Sequence, residues 1–285
     1  MREKKESFII NKEKINIAQT LKCGQIFSYR QISFNPDNFI IFSSNKKAEV
    51  YEMKEHYKIC TDNVPYFQNF FDLETDYEKI KSILSKDKML VKPIEFGGGI
   101  RILRQDLLEV IISFVFSANN NIKRITESLF ALRQKFGKHY GDYEIFPSLK
   151  QLSEITAEQF KEIGAGYRAE QLVKLIEQLQ KINFDELKHL SSDKILKKLI
   201  DLSGIGPKVA DCILLFGFNR TDVFPVDTWI EKAFKNFYES DLKNTNHWSR
   251  AEIRKFLTER YGNLAGYAQQ YLFNYQRNFH NRQII

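Results

Sequence analysis

Cysteine is scarce in this chain. There are three, Cys23, Cys60 and Cys212, and they lie far apart. An odd, scattered set fits neither a disulfide framework nor a tetrahedral zinc site. It also leaves no room for a four-cysteine iron–sulfur cluster. Long apolar runs are lacking too: none approaches the roughly 18 residues that span a bilayer, so no membrane partner is expected. The first residues, Met1-Arg2-Glu3-Lys4-Lys5-Glu6, are charged and are not followed by the apolar core of a signal peptide. A cytoplasmic protein is the expectation. No internal repeat or low-complexity tract appears.

What is present is a chain of 285 residues, enough for two domains or one large one with an ample core. A net charge of +7, with pI about 9.1, permits a nucleic-acid partner without requiring one. Near the C-terminus Arg277, His280 and Arg282 interleave with Tyr271, Phe273, Tyr275 and Phe279. Basic groups mixed with aromatics suit a polyanion that carries flat bases. An amphipathic helix with a solvated basic face reads equally well there.

Two textures divide the chain. Short β-rich runs at 7–10, 26–32, 39–43, 49–54 and 57–61 are separated by Asn, Pro, Asp and Ser clusters, as in an antiparallel meander. The run 14–22 suits a short helix before Gly24. The glycines of Phe96-Gly97-Gly98-Gly99-Ile100 read as a hinge and boundary, giving units 1–97 and 98–285. Beyond them apolar residues recur at helical spacing over 106–118, 121–136, 157–163, 168–181, 193–202, 208–216, 228–238, 250–260 and 264–279.

The most informative segment is Leu-Ser-Gly-Ile-Gly-Pro-Lys-Val-Ala-Asp-Cys at 202–212, with Asp227 nineteen residues after Lys208. Gly204 and Gly206 permit backbone conformations that a Cβ resists, and a turn bare of side chains can meet a phosphate backbone. Pro207 suits the first position of a helix. Lys208 then lies in its first turn, where the helix dipole disfavours a protonated amine, and shares a face with Cys212. The whole is a helix–hairpin–helix over about 193–216. Taken singly, each part has a bland reading: a helix connection, a solvated lysine, and an N-cap at Asp227. The combination points to chemistry.

Further segments narrow that chemistry. They read CGQIF at 23–27, GIRILRQD at 99–106, SANNNIKRIT at 117–126, GAGYR at 164–168 and AGYAQQYLF at 265–273. In order and separation the set resembles 8-oxoguanine DNA glycosylases of the helix–hairpin–helix superfamily, over about residues 20–279. The resemblance implies an α+β fold, with an N-terminal antiparallel sheet similar to a TATA-binding-protein half packed on an all-α glycosylase domain. It implies a DNA repair enzyme acting as a monomer, at the nucleoid if the source is bacterial. Its partner would be double-stranded DNA carrying 8-oxoguanine or an abasic site. No cofactor is expected; by analogy with the family a metal ion suits the hairpin carbonyls, but no side chain here demands one.

The resemblance also implies roles. Lys208 would attack C1′ of a flipped nucleotide, needing a neutral amine that burial and the helix N-terminus favour. Asp227 would stabilise positive charge on the sugar. Cys212 and Phe273 would sandwich the base, and Gln269 would bond its Watson–Crick edge. The Gly24 carbonyl would accept the N7 hydrogen that only the oxidised base carries. Asn119 would fill the gap left by the flipped base, Tyr167 would wedge beside it, and Arg124 and Arg168 would read the estranged cytosine. Trp229 departs from the family, where a histidine often stands two residues after the aspartate; it cannot become a cation. A glycosylase for alkylated purines and a non-catalytic DNA-docking module are the alternatives.

Overall fold

Alternation of apolar and polar residues builds the first layer. The computed structural model describes residues 6–32, 35–238 and 248–282. Strands β1 (Glu6–Asn11), β2 (Tyr29–Ile32), β3 (Asn35–Ser43), β4 (Lys46–Glu52) and β5 (His56–Thr61) form one antiparallel sheet in the order β1-β5-β4-β3-β2, with α1 (Ile17–Lys22) between the first two. Phe39 and Ile41, their cross-strand neighbours Val50 and Ala48, and Ile59 opposite Val50 are all fully buried. Residues two apart share a sheet face. That face packs on Ile17 and Leu21 of α1 and on Phe67, Phe70 and Phe71.

Three helices follow that the apolar pattern did not announce: α2 (Val64–Phe70), α3 (Tyr77–Leu84) and α4 (Lys88–Gly97). Each starts at a side-chain cap, with Asn63, Asp76 and Asp87 accepting from the amides of Tyr66, Lys79 and Met89. The three glycines read as a hinge are instead a tight crossing. A Cβ on Gly99 would fall 2.8 Å from the Asn16 nitrogen, whose N–H donates to the Gly99 carbonyl at 2.7 Å. A Cβ on Gly98 would meet the Ile94 carbonyl at 2.9 Å. Close approach, not flexibility, requires glycine there.

The helical part comprises α5 (Leu107–Ser117), α6 (Ile122–Phe136), a hairpin of β6 (His139–Tyr140) and β7 (Tyr143–Glu144), α7 (Leu149–Leu152), α8 (Ala157–Glu162), α9 (Ala169–Leu179), α10 (Phe184–Lys188), α11 (Ser192–Ile200), α12 (Pro207–Phe216), α13 (Thr228–Phe237), α14 (Arg250–Tyr261) and α15 (Ala265–Arg282). The fold is thus α+β, a five-stranded antiparallel sheet joined to a mostly helical domain. Helices α5 and α12 are buried on all sides from Glu109 to Phe116 and from Val209 to Phe216, as helices apolar all round must be. They meet where the Phe114 and Phe216 rings stack at 5.4 Å. Helix α15 runs against α4 and α13 over a second core that includes Leu90, Ile94, Ile230, Phe234, Ala268 and Leu272. Among the described residues, no helix is long and apolar enough to cross a membrane.

A buried ion pair links the layers. Glu109 on α5 accepts from the Arg133 guanidinium of α6, from the Ser28 hydroxyl at 2.5 Å and from the Ser44 amide at 2.9 Å. Removing one partner of a buried pair strands the other charge. Arg133→Met is therefore expected to lower the unfolding free energy by about 3 kcal/mol in urea denaturation; a loss under about 1 kcal/mol would mean that Ser28 and Ser44 suffice.

Candidate active site and nucleic-acid interface

The hairpin between α11 and α12 is shaped by one glycine and left open by the other. Gly204 has φ +76°, the left-handed region that disfavours a Cβ, and one there would press on Val115 at 3.3 Å. Gly206 has an ordinary extended backbone with φ −90°, and a Cβ on it would meet nothing within 4 Å. Its service is bare approach rather than conformation. No side chain caps α12, and Pro207 occupies its first position. The amides of Lys208 and Val209 have no acceptor among the described residues. Free amides at a positive helix end make a seat for a phosphate.

Cys212, one turn into α12, lies within electrostatic reach of both Lys208 and Asp227. Lys208 is half-buried, with Nζ 5.4 Å above the centroid of the Phe114 ring. Its charge acts on the Cys212 thiol one turn on. Burial pushes that thiol from 9.0 up to about 11, with Lys208 opposing the shift and Asp211 and Asp227 adding to it. Asp227 is the N-cap of α13: one carboxylate oxygen accepts from the amides of Trp229 and Ile230, each at 3.0 Å. Its other oxygen has no hydrogen-bond partner among the described residues. Asp227 is therefore both a cap and a charge felt at Cys212.

A second wall comes from α15 and the turn at Gly24. Gly24 has φ +83°, and a Cβ there would touch the Phe273 ring at 3.3 Å and Arg277 at 3.4 Å. Gln269, buried four residues before Phe273, donates to the Pro225 carbonyl at 3.3 Å. Helix α15 thus joins the Gly24 turn to the segment that carries Asp227. Of the terminal aromatics, Tyr271 is buried and Tyr275 packs on Phe96 and Phe237. The side chains of Phe279, His280 and Arg282 lie outside the described residues.

The third group sits past the end of α5. Asn119 is exposed with φ +50°. Tyr167 is 60% exposed, and its hydroxyl donates to the Ala118 carbonyl at 3.3 Å. Arg168 is 5% exposed, and its guanidinium donates to the carbonyls of Ala118, Ala165 and, at 2.9 Å, Asn119. In this arrangement Arg168 shapes the turn that presents Asn119. Arg124, on the first turn of α6, is exposed and has no ion-pair partner among the described residues. Sequence reasoning missed Phe114, Gln25 and Gln270. Gln25 and Gln270 flank two of the chosen residues, but nothing in a local pattern announces their long-range bonds. No group of three or more His, Cys, Asp or Glu that would hold a metal ion occurs among the described residues.

A hairpin bare of side chains, a lysine at its helix start and a capping aspartate nearby define a helix–hairpin–helix base-excision site. Residues 7–111 match the family model of the 8-oxoguanine DNA glycosylase N-terminal domain, and residues 112–259 match that of the HhH-GPD superfamily base excision DNA repair proteins. The chain belongs to that superfamily. It is 32% identical over 232 residues to a probable N-glycosylase/DNA lyase of Methanothermobacter thermautotrophicus, covering 73% of this chain and 72% of that one. It is 35% identical over 188 residues to an N-glycosylase/DNA lyase of Arabidopsis thaliana, covering 61% and 51%. Its fold superposes with TM-score 0.89 and 34% identity on the Clostridium acetobutylicum 8-oxoguanine glycosylase/lyase, solved with double-stranded DNA containing cytosine opposite 8-oxoguanine, covering 97% and 98%.

The thiols give a direct check on this packing. Cys23 and Cys212 are buried and Cys60 is half-exposed, so a chromogenic disulfide reagent is expected to find one fast thiol in the native protein and three after denaturation. Burial raises both Cys23 and Cys212 from 9.0 to about 11. Their contribution to stability is full below pH 9 and is lost as pH rises toward 11, because the unfolded thiols ionise first. The urea midpoint should fall over that window, and less so in Cys212→Ala. An equal fall in the variant removes Cys212 from the account.

Proposed function

We propose that this chain is a bifunctional DNA repair glycosylase, which excises 8-oxoguanine from duplex DNA and then nicks the strand as an AP lyase. The observation that carries the reading is Lys208 in the first turn of the uncapped α12, with both it and Asp227 acting on Cys212. It occurs in a chain whose fold and sequence follow glycosylase/lyases along nearly their whole length.

The target nucleotide leaves the stack, at a cost of a few kcal/mol, while the amides of Lys208 and Val209 hold a neighbouring phosphate. As the C1′–N9 bond breaks, the base departs with the electron pair and positive charge grows on the sugar. The carboxylate of Asp227, fixed by two backbone amides, stabilises that charge. Lys208 Nζ bonds to C1′ and loses a proton, the sugar ring opens, and a Schiff base remains. Removal of a C2′ proton then expels the 3′ phosphate. Cys212 and Phe273 face the base, and Gln269 meets its Watson–Crick edge. The Gly24 carbonyl accepts from N7–H, where undamaged guanine offers only a lone pair; such a mismatch is worth about 1–3 kcal/mol. Asn119 and Tyr167 occupy the vacated space, Arg124 faces the opposite cytosine, and Arg168 contributes by holding the turn at Ala118 and Asn119. Trp229, two residues after Asp227, cannot become a cation. The enzyme acts as a monomer in the compartment that holds the DNA.

Borohydride trapping on a duplex with 8-oxoguanine opposite cytosine is expected to give a covalent adduct that Lys208→Gln abolishes, with excision falling roughly 10³-fold or more. An adduct that survives the substitution would move the nucleophile elsewhere. No adduct and no excision would favour a docking module, and release of alkylated purines alone would favour the other specificity. Across the four opposing bases, excision is expected to be fastest opposite cytosine, and Arg124→Ala should narrow that preference about tenfold, the worth of one lost base contact. An unchanged ranking would take Arg124 out of cytosine reading.

A further inference from the structure

Four buried side chains between the Gly24 turn and the Asp227 segment form one line of hydrogen bonds. The Leu103 amide donates to Gln25 Oε1 at 2.8 Å. Gln25 Nε2 donates to the carbonyls of Arg101 and Thr20, at 2.8 and 3.0 Å, and reaches Cys23 Sγ at 3.2 Å. Cys23 Sγ donates in turn toward Gln270 Oε1, also at 3.2 Å. Gln270 Nε2 donates to Gln269 Oε1 at 2.8 Å, and Gln269 Nε2 donates to the Pro225 carbonyl at 3.3 Å.

Both ends of this line are backbone groups whose character is fixed. An amide N–H only donates, and a carbonyl only accepts. Every step between them runs in the same sense, so turning any one glutamine amide over would set donor against donor or acceptor against acceptor. Such a clash in a buried place is costly. The thiol is the one joint that can rotate, its other acceptor being the Thr20 carbonyl at 3.1 Å. Burial keeps it protonated at neutral pH, since its pKa is pushed up to about 11.

We propose that Cys23 and Gln270 are positioning residues that lock the orientation of the Gln269 amide and so make the pocket select a guanine-type base edge. With Nε2 turned to Pro225, the orientation of the amide is set, and Gln269 Oε1, which takes one bond from Gln270, keeps a second lone pair for the base. Oxygen there accepts from N1–H and the exocyclic N2 amine of an oxidised guanine. An adenine-type edge presents a lone pair at N1 and meets that oxygen with repulsion. The lock adds a filter to the Gly24 carbonyl: one tests for oxidation at C8, the other for the parent base. This inference rests on the reading that Gln269 meets the base edge.

The test compares three duplexes, carrying 8-oxoguanine, 8-oxoadenine or a preformed abasic site, in single-turnover assays. In Gln270→Met the rate on 8-oxoguanine is expected to fall about tenfold, the loss of one oriented hydrogen bond. The preference for 8-oxoguanine over 8-oxoadenine should narrow by a similar factor. Cleavage at the abasic site, where there is no base to read, should stay at the wild-type rate. Cys23→Ala should move the same ratio, and Cys23→Ser, whose hydroxyl also donates and accepts, should restore it. An unchanged ratio in both Gln270→Met and Cys23→Ala, with Gln269→Met still altering it, refutes the lock while leaving the role of Gln269 intact. An equal loss on the abasic site also refutes it, because the residues then support the fold alone. A wild type that spares 8-oxoguanine, or a silent Gln269→Met, overturns the underlying reading instead.

Discussion

The buried amide of Gln25 is the constraint on which the site depends. A glycine turn with positive φ has no side chain of its own to hold it, so the Gly24 turn must be held by its neighbours. Gln25 does this by bonding the chain at Thr20, Arg101 and Leu103, and Gln105 returns a bond to the Gln25 carbonyl at 2.8 Å. Each such bond left unmade in the interior would cost about 1–3 kcal/mol, so the turn has one place to sit. The segment it is fixed to, residues 101–105, leads into α5. Phe114 of α5 lies beneath the amine of Lys208 and stacks on Phe216 of α12. The turn that would read the base and the helix that would do the chemistry are therefore connected through packed, hydrogen-bonded structure at every step.

Two aspartates near α12 show how burial assigns different tasks to one side chain. Asp211 lies between Lys208 and Cys212 in sequence and is buried. Burial raises its pKa, and Arg254 of α14 opposes this through a two-pronged contact at 2.6 and 2.8 Å. That carboxylate is spent on pinning α12 to α14. Asp227 is only half-buried, and its ties are two backbone amides that cap α13. A capped carboxylate keeps its position without a cationic partner, so its charge remains for a developing cation nearby. An arginine on Asp227, such as Asp211 carries, would cancel that charge.

Much of this architecture was legible in the sequence, and the exceptions have physical causes. The β-rich runs at 39–43 and 57–61 and the apolar helices at 106–118 and 208–216 were plain, because buried strands and buried helices concentrate apolar residues between polar turns. Helices α2 to α4 were not read, because they are short and hold together by Asn63, Asp76 and Asp87 caps and by aromatic contacts rather than a long stripe. The glycines at 97–99 looked like a hinge because sequence shows the missing Cβ but not the neighbour that requires it to be missing. At the candidate site the motif spacings brought Lys208, Cys212 and Asp227 into view. The resemblance supplied Gly24, Gln269 and Phe273. Neither route could see that the guanidinium of Arg168 is turned inward onto three carbonyls, since that depends on where the loop at 118–119 folds.

That loop makes α5 the spacer between Lys208 and the Asn119 turn. Residues 114 and 118 are one helical turn apart, about 6 Å along the axis. Phe114 supports Lys208, and at Ala118 the helix stops and the chain turns out through Asn119 in a left-handed conformation that a non-glycine residue adopts at some cost. Arg168 and Tyr167 hold the carbonyl of Ala118, and Arg168 that of Asn119, so the strained turn is maintained from behind. On the proposed mechanism, α5 fixes the step between the flipped nucleotide at Lys208 and the Asn119 tip that enters the space it vacated. A helix buried on all sides can set such a step, because any change in its length or register would have to displace the core around it.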